Sequence, residues 1–156
     1  PADVAGLFSK YFPSRLIRGS LAGNEFPLNK LNPGRVEFIF IFVSGQTPNE
    51  VGENIGRIAE IAKDNAWDMD FFASIILLYD GIYPFISDRG VPSAELVPKI
   101  ASTMGRSVRI IYGSEDCHFG SMGSERRMTY GALFPSFPKV LGRLLILKDG
   151  DVERSA

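Results

Sequence analysis

The pattern of apolar and polar positions divides the chain into short elements of two periods. Arg35 to Val43 is almost wholly apolar, with Val36, Phe38, Ile39, Phe40, Ile41 and Phe42 in succession. Such a β-branched and aromatic run predicts a strand buried on both faces. Thr47-Pro48-Asn49-Glu50 then reads as a helix start: Thr47 caps, Pro48 takes the first helical position and Glu50 completes a capping box. Val51, Ile55, Ile58, Ala59 and Ala62 share one face of that helix, and Asn65 ends it. Trp67 to Tyr79 reads as a hairpin whose second arm is Ile75–Tyr79, and Gly81 to Pro92 as a loop. A second helix is expected over Ser93–Met104, disturbed at Pro98 and stopped by Gly105. Val108–Tyr112 is a further strand, Phe119–Tyr130 holds a Gly/Ser turn and a strand, and Ser136–Leu147 is a third helix. Ahead of all this, Asp3–Ile17 has helical spacing broken at Pro13, and Gly19–Gly34 is a Gly/Asn/Pro-rich connector. The order predicts an α+β sandwich, a mainly antiparallel sheet with helices on one face. Its divisions are residues 1–34 as N-terminal helix and connector, 35–148 as the domain, and 149–156 as a frayed tail.

Composition narrows the function classes. The 156 residues suit one domain with one sizeable core. A net charge of -1 gives no electrostatic footprint for nucleic acid. The single cysteine, Cys117, makes no internal disulfide, which fits a reducing, cytoplasmic setting. The single histidine, His118, excludes a His-rich zinc site. Apolar runs such as Phe38–Val43 and Ile75–Tyr79 are far too short for direct membrane insertion. No signal peptide is visible, and a start at Pro1 without methionine reads as a piece of a longer protein.

Few residues advertise chemistry. There is no phosphate-binding lysine loop, no dinucleotide-binding glycine motif and no zinc spacing. The acid pairs Asp68/Asp70 and Glu115/Asp116 are read as solvated strand-end carboxylates rather than metal ligands. Cys117 and His118 are adjacent on a strand, point to opposite faces and so do not form a thiol–base pair. Arg126-Arg127 reads as a solvated rim on a hairpin turn before it reads as a phosphate clamp.

One stretch is more specific. Ser114–Tyr130, SEDCHFGSMGSERRMTY, resembles the segment of class III adenylate and guanylate cyclases that reads "GNIGSERRMDYT". Phe40–Thr47, FIFVSGQT, resembles that family's "FADIRGFT", and Phe72–Gly81, FASIILLYDG, its "IGDAVLAVFG". The lead-in Phe8–Gly23 is similar to the segment before many bacterial cyclase domains. The resemblance implies a ferredoxin-like βαββαβ core whose sites form across a head-to-tail dimer. It also implies that the chemical positions are altered. Phe42 and Ser74 stand where the family has its two metal-binding aspartates. Phe71 and Pro135 stand at its purine-reading positions. Its asparagine and arginine fall on Pro138 and Gly142 without a gap, or on Lys139 and Arg143 with one inserted residue, so Arg143 is the possible phosphate contact. The family's closing strands are expected to be absent.

From these substitutions the sequence reading is that the chain is not an enzyme and holds no metal or cofactor. It is read as a catalytically inactive signalling module that dimerises or binds a partner. The partner would be a second copy, another signalling protein or an upstream domain. Phe119, Met122, Arg126, Arg127 and Met128 are its interface candidates. Two alternatives stay open: a nucleotide or small-molecule sensor using the former cleft, and a cyclase active only with a partner chain.

Overall fold

A computed structural model of the chain describes residues 28–43, 46–65, 82–87, 91–104 and 108–155. The helix expected over Asp3–Ile17, most of the connector, and the Trp67–Tyr79 hairpin with Asp68, Asp70, Phe71 and Ser74 lie outside the described residues.

Strand β1 (Asn32–Phe42) is the centre of the sheet, as its apolar run predicts. It pairs antiparallel with β2 (Ile82–Ser87) on one side and with β3 (Arg109–Ser124) on the other. The second half of β3 pairs antiparallel with β4 (Arg127–Leu133), and Ile110–Tyr112 of β3 pair in parallel with β5 (Val152–Arg154). Helix α1 (Pro48–Asp64) starts where expected: Glu50 N–H donates to Thr47 Oγ1 at 3.3 Å, and Thr47 Oγ1 donates to the Glu50 carboxylate at 3.2 Å. Helix α2 (Ser93–Thr103) continues through Pro98, which sits on its exposed side. Its first amide, Ser93 N–H, donates to Glu37 Oε1 at 2.7 Å, so a strand carboxylate serves the helix's positive end. Helix α3 (Phe137–Ile146) follows β4.

Side-chain alternation along β1 sorts two cores. Ile39 and Ile41 face α1 and α2, packing with Ile58, Leu96, Ile100 and Ile110. Val36, Phe38 and Phe40 face the other way, with Ile111, Cys117, Val140, Leu144 and Leu147. The α+β class and the mainly antiparallel sheet agree with the sequence reading. The placing of all helices on one face does not: α3 covers the opposite face, because the even-numbered residues of β1 are as apolar as the odd ones and need their own cover.

Two boundaries also change. Gly81–Pro92 is not simply a loop, since it contains β2. Residues 149–155 are not a frayed tail. Gly150, at φ 92°, turns the chain, Ile110 N–H donates to Asp151 O at 3.0 Å, and β5 adds a closing strand. No helix among the described residues is long and apolar enough to cross a membrane.

Candidate functional site

The end of β1 is the first place where the family pattern expects chemistry. Phe42 is half-buried there, on the α3 side of the sheet, and is paired across β3 with Arg109. The Arg109 guanidinium carbon lies 4.7 Å from the Phe42 ring centroid. Arg109 Nε donates to Asp149 at 3.0 Å, and its Nη1 donates to the Leu145 carbonyl at 3.1 Å. One guanidinium therefore covers a phenyl ring, closes the negative end of α3 and anchors the turn into β5. A phenyl ring offers no oxygen to a divalent cation, and a fixed positive charge beside it repels one. The described residues do not fit a metal there, and none of them form a group of three His, Cys, Asp or Glu side chains that would hold one.

Below that point the turn into α1 is held by amides. Gln46 Nε2 donates to Val43 O at 3.1 Å, and Asn54 Nδ2 donates to Gln46 Oε1 at 2.9 Å, with both side chains buried. Ile82 stands opposite Phe42, so Ile82–Ser87 is the strand that flanks β1 at the site.

The second place is a groove of about 490 Å³ between α3 and β5. It is lined by Lys139, Arg143 and Ile146 of the helix, Ile111 of β3, and Glu153, Arg154 and Ser155. Lys139 and Arg143 are four residues apart and so share one helix face; Val140, buried in the core, also lines the groove, and Leu144 faces the core alone. Neither Pro138 nor Gly142 is among the lining residues. Arg143 grips Glu153 with both arms: Nε to Oε2 and Nη2 to Oε1, each at 2.8 Å. That hydrogen-bonded pairing, with the attraction of the opposite charges, holds the Glu153 carboxyl below the usual glutamate range and pushes Arg143 further toward its charged form. Pro135, the other former purine position, is exposed in the turn before α3.

The hairpin carries the remaining candidates. Arg126 and Arg127 are exposed at the β3–β4 turn, where Arg127 N–H donates to Ser124 Oγ at 3.2 Å. Met122 is half-buried, and the side chains of Phe119 and Met128 lie outside the described residues. The Glu115/Asp116 pair is split by the strand. Glu115 accepts from Ser136 Oγ at the start of α3, and Asp116 pairs with Arg35 at 2.9 Å. Cys117 is buried and His118 exposed. The residues that sequence reasoning missed are Arg109 and Arg154. Neither sits in a motif, and only strand register shows what they stand beside.

No protein-family model and no curated protein matches the sequence. Solved structures do match. A bacterial light-regulated adenylyl cyclase aligns with a TM-score of 0.65 at 14% identity over 93% of this chain and 49% of that one. The catalytic core of a rhodopsin-guanylyl cyclase with converted specificity, in complex with ATPαS, aligns with a TM-score of 0.61 at 12% identity over 81% and 80%. The adenylyl cyclase CyaB from P. aeruginosa aligns with a TM-score of 0.59 at 9% identity over 79% and 77%. This chain thus spans about half the length of the light-regulated protein and most of the other two.

These similarities overturn one expectation, that the chain is not an enzyme. The proteins that share its fold are named as cyclases, and one of them holds a nucleotide. The inference of inactivity came from Phe42 and Ser74 in an alignment of a single chain. Ser74 lies outside the described residues. The chain has the fold of class III adenylyl and guanylyl cyclase catalytic domains.

Proposed function

We propose that this chain is a cyclase-type signalling domain that meets the phosphates of a nucleoside triphosphate in the groove between α3 and β5. It works as one of a pair. A second cyclase-fold chain brings the acidic residues that are missing at the end of β1. The supporting observation is the convergence of Lys139, Arg143 and Arg154 on one groove that contains one carboxylate, Glu153. The Arg143 fork already holds two oxygens at 2.8 Å each, and a phosphate presents the same pair of acceptors with more charge. Glu153 is the competitor that a phosphate displaces. Lys139 adds a mobile point charge on the same helix face. On this reading Phe71 and Pro135, at the family's purine-reading positions, supply apolar side chains in place of hydrogen-bond readout. Phe42 and Arg109 do not fit a metal at the end of β1. The pairing surface is the β3–β4 hairpin, with Phe119, Met122 and Met128 central and Arg126 and Arg127 at the rim. A nucleotide ligand and a lone cysteine fit a reducing cytoplasm.

Calorimetric titration of ATP and of GTP tests the groove. One of them should bind, with affinity about tenfold weaker in Arg143→Ala, the scale of a lost charge-assisted hydrogen bond, and tighter in Glu153→Gln. If neither nucleotide binds, or if Arg143→Ala binds as well as the parent, the groove reading is wrong. For the pairing, cyclic nucleotide should form only when the chain is mixed with a cyclase-fold domain that carries its acids but lacks its arginine. Formation by this chain alone would remove the need for a second chain.

A further inference from the structure

The connector does not simply lead into β1. Before Asn32 pairs with Phe119, the backbone crosses directly over Gly120. A Cβ placed on Gly120 would lie 3.0 Å from the Lys30 carbonyl oxygen and 3.3 Å from Leu31 Cδ2, so only glycine admits this crossing without a shift. One step further out, Leu28 forms a parallel bridge with Ser121, and Asn29 N–H donates to Ser121 O at 2.8 Å. The Asn29 side chain then takes both backbone groups of Gly123: Nδ2 donates to Gly123 O, and Gly123 N–H donates to Oδ1, each at 3.0 Å. Asn29 holds a left-handed φ of 59°, alone among the described non-glycine residues, and Gly123 holds a φ of 122°. Two residues in uncommon backbone conformations meeting through a two-point clasp are a built contact. Gly120 and Gly123 lie in the block GSMGSERRM. In this structure both serve the connector.

We propose that Leu28–Leu31 form a strap clasped to the β3–β4 hairpin, so that opening the clasp at Asn29 loosens the hairpin. The clasp suits a switch because Asn29 and Gly123 are exposed. Water competes for each of its hydrogen bonds, so it opens without unfolding the cores. The hairpin turn Ser124–Arg127 follows Gly123 immediately, so release at Gly123 reaches Arg127 through Ser124, whose Oγ accepts from the Arg127 amide. Coupling of this kind is reciprocal: loosening the hairpin must loosen the connector equally. This inference stands apart from the nucleotide groove and needs no ligand.

Residue-resolved amide hydrogen exchange on the full chain tests it. Asn29→Gly removes both side-chain bonds while keeping a residue at ease with φ 59°. It should speed exchange of the Gly123 amide about tenfold, the scale of one or two lost hydrogen bonds, with the amides of Ile39 and Ile100 unchanged. Gly120→Ala, made on the hairpin side, should speed exchange of the Asn29 amide. Unchanged exchange at Gly123 in Asn29→Gly overturns the strap. So does equal acceleration at Ile39 and Ile100, which would mark general destabilisation. So does an unchanged Asn29 amide in a folded Gly120→Ala chain. If Gly120→Ala does not fold, the Asn29→Gly exchange pattern decides alone.

Discussion

Helix α3 carries Lys139 and Arg143, so the integrity of the groove rests on how α3 is held to the sheet. Its buried contacts come from Val140 and Leu144, followed by Leu147 just beyond its end. Leu144 is 0% exposed and lies in the core that contains Phe38, Phe40 and Ile111. Truncating Leu144→Ala removes three carbons from a site walled by rings. Phe38 meets Phe134 edge-to-face at 4.9 Å between centroids, and Phe40 meets Phe137 in the same way at 5.5 Å. Phe38 and Phe40 stand on the central strand β1, paired on both sides, and cannot collapse far into the space, so most of the cavity remains. The cost is then about 3 kcal/mol, within the usual Leu→Ala range. For a domain of this size that lowers the melting temperature by roughly 6–12 °C. The neighbouring Leu145 is 43% exposed, and Leu145→Ala should stay within about 0.5 kcal/mol of the parent. Thermal unfolding followed by circular dichroism compares the two variants, and hydrogen exchange reports whether α3 amides open before those of α1. A Leu144→Ala midpoint within about 2 °C of the parent, or equal losses in both variants, would refute this account of α3 packing.

Three further outcomes follow from the charged groups. Glu153 has its carboxyl lowered first by the Arg143 hydrogen bond, so the pair is fully formed above the ordinary glutamate range and is lost as pH falls through the lowered value. A carbon-detected titration of Glu153 should show this midpoint return toward the ordinary range in Arg143→Gln, and no change would contradict the pairing. Phe42→Asp alone should not create a Mn²⁺ site detectable by water-proton relaxation, because Arg109, now 4.7 Å from the ring centre, would pair with the new carboxylate; micromolar Mn²⁺ binding would disprove this. Reversing both hairpin arginines, Arg126→Glu with Arg127→Glu, should weaken association measured by sedimentation and flatten its salt dependence, whereas unchanged association would move the pairing surface elsewhere.

Much of the fold is legible in the sequence because local signals and tertiary packing agree. The apolar run of β1, the capping box at Thr47 and the α3 segment all form within a few residues of their expected bounds. Strand β2 is not legible, because Gly81, Pro84 and Gly90 read as loop punctuation. Beyond β1 the described residues show no strand pairing with β2, and an edge strand tolerates a proline that a central strand would not. The length of β3 is hidden for a related reason. Gly113, Gly120 and Gly123 look like turn residues, yet all three lie inside one strand. At Gly113 an added Cβ would lie 3.2 Å from the Phe38 ring, so that glycine is there for close approach. The side of the sheet taken by α3 is hidden because β1 is apolar at every position from Phe38 to Val43, leaving no polar face to mark.

The same register explains why the end of β1 differs in sign from what the family pattern implies. The pattern places acids there to gather cations. This chain places a phenyl ring there and lays Arg109 across it. Arg109 is held by Asp149, and Arg143 by Glu153, each carboxylate fixing one guanidinium where α3 meets the chain that follows it. Lys139 and Arg154 line the same groove as Arg143, and Glu153 is the one carboxylate among its lining residues. Cations held in place by carboxylates are preorganised: an incoming anion exchanges one oxygen pair for another and need not order a free side chain. A surface arranged in this way favours an anionic ligand or an acidic neighbour and disfavours a bare metal ion. That division of charge is what a two-chain site needs if one chain brings the acids and the other meets the phosphates.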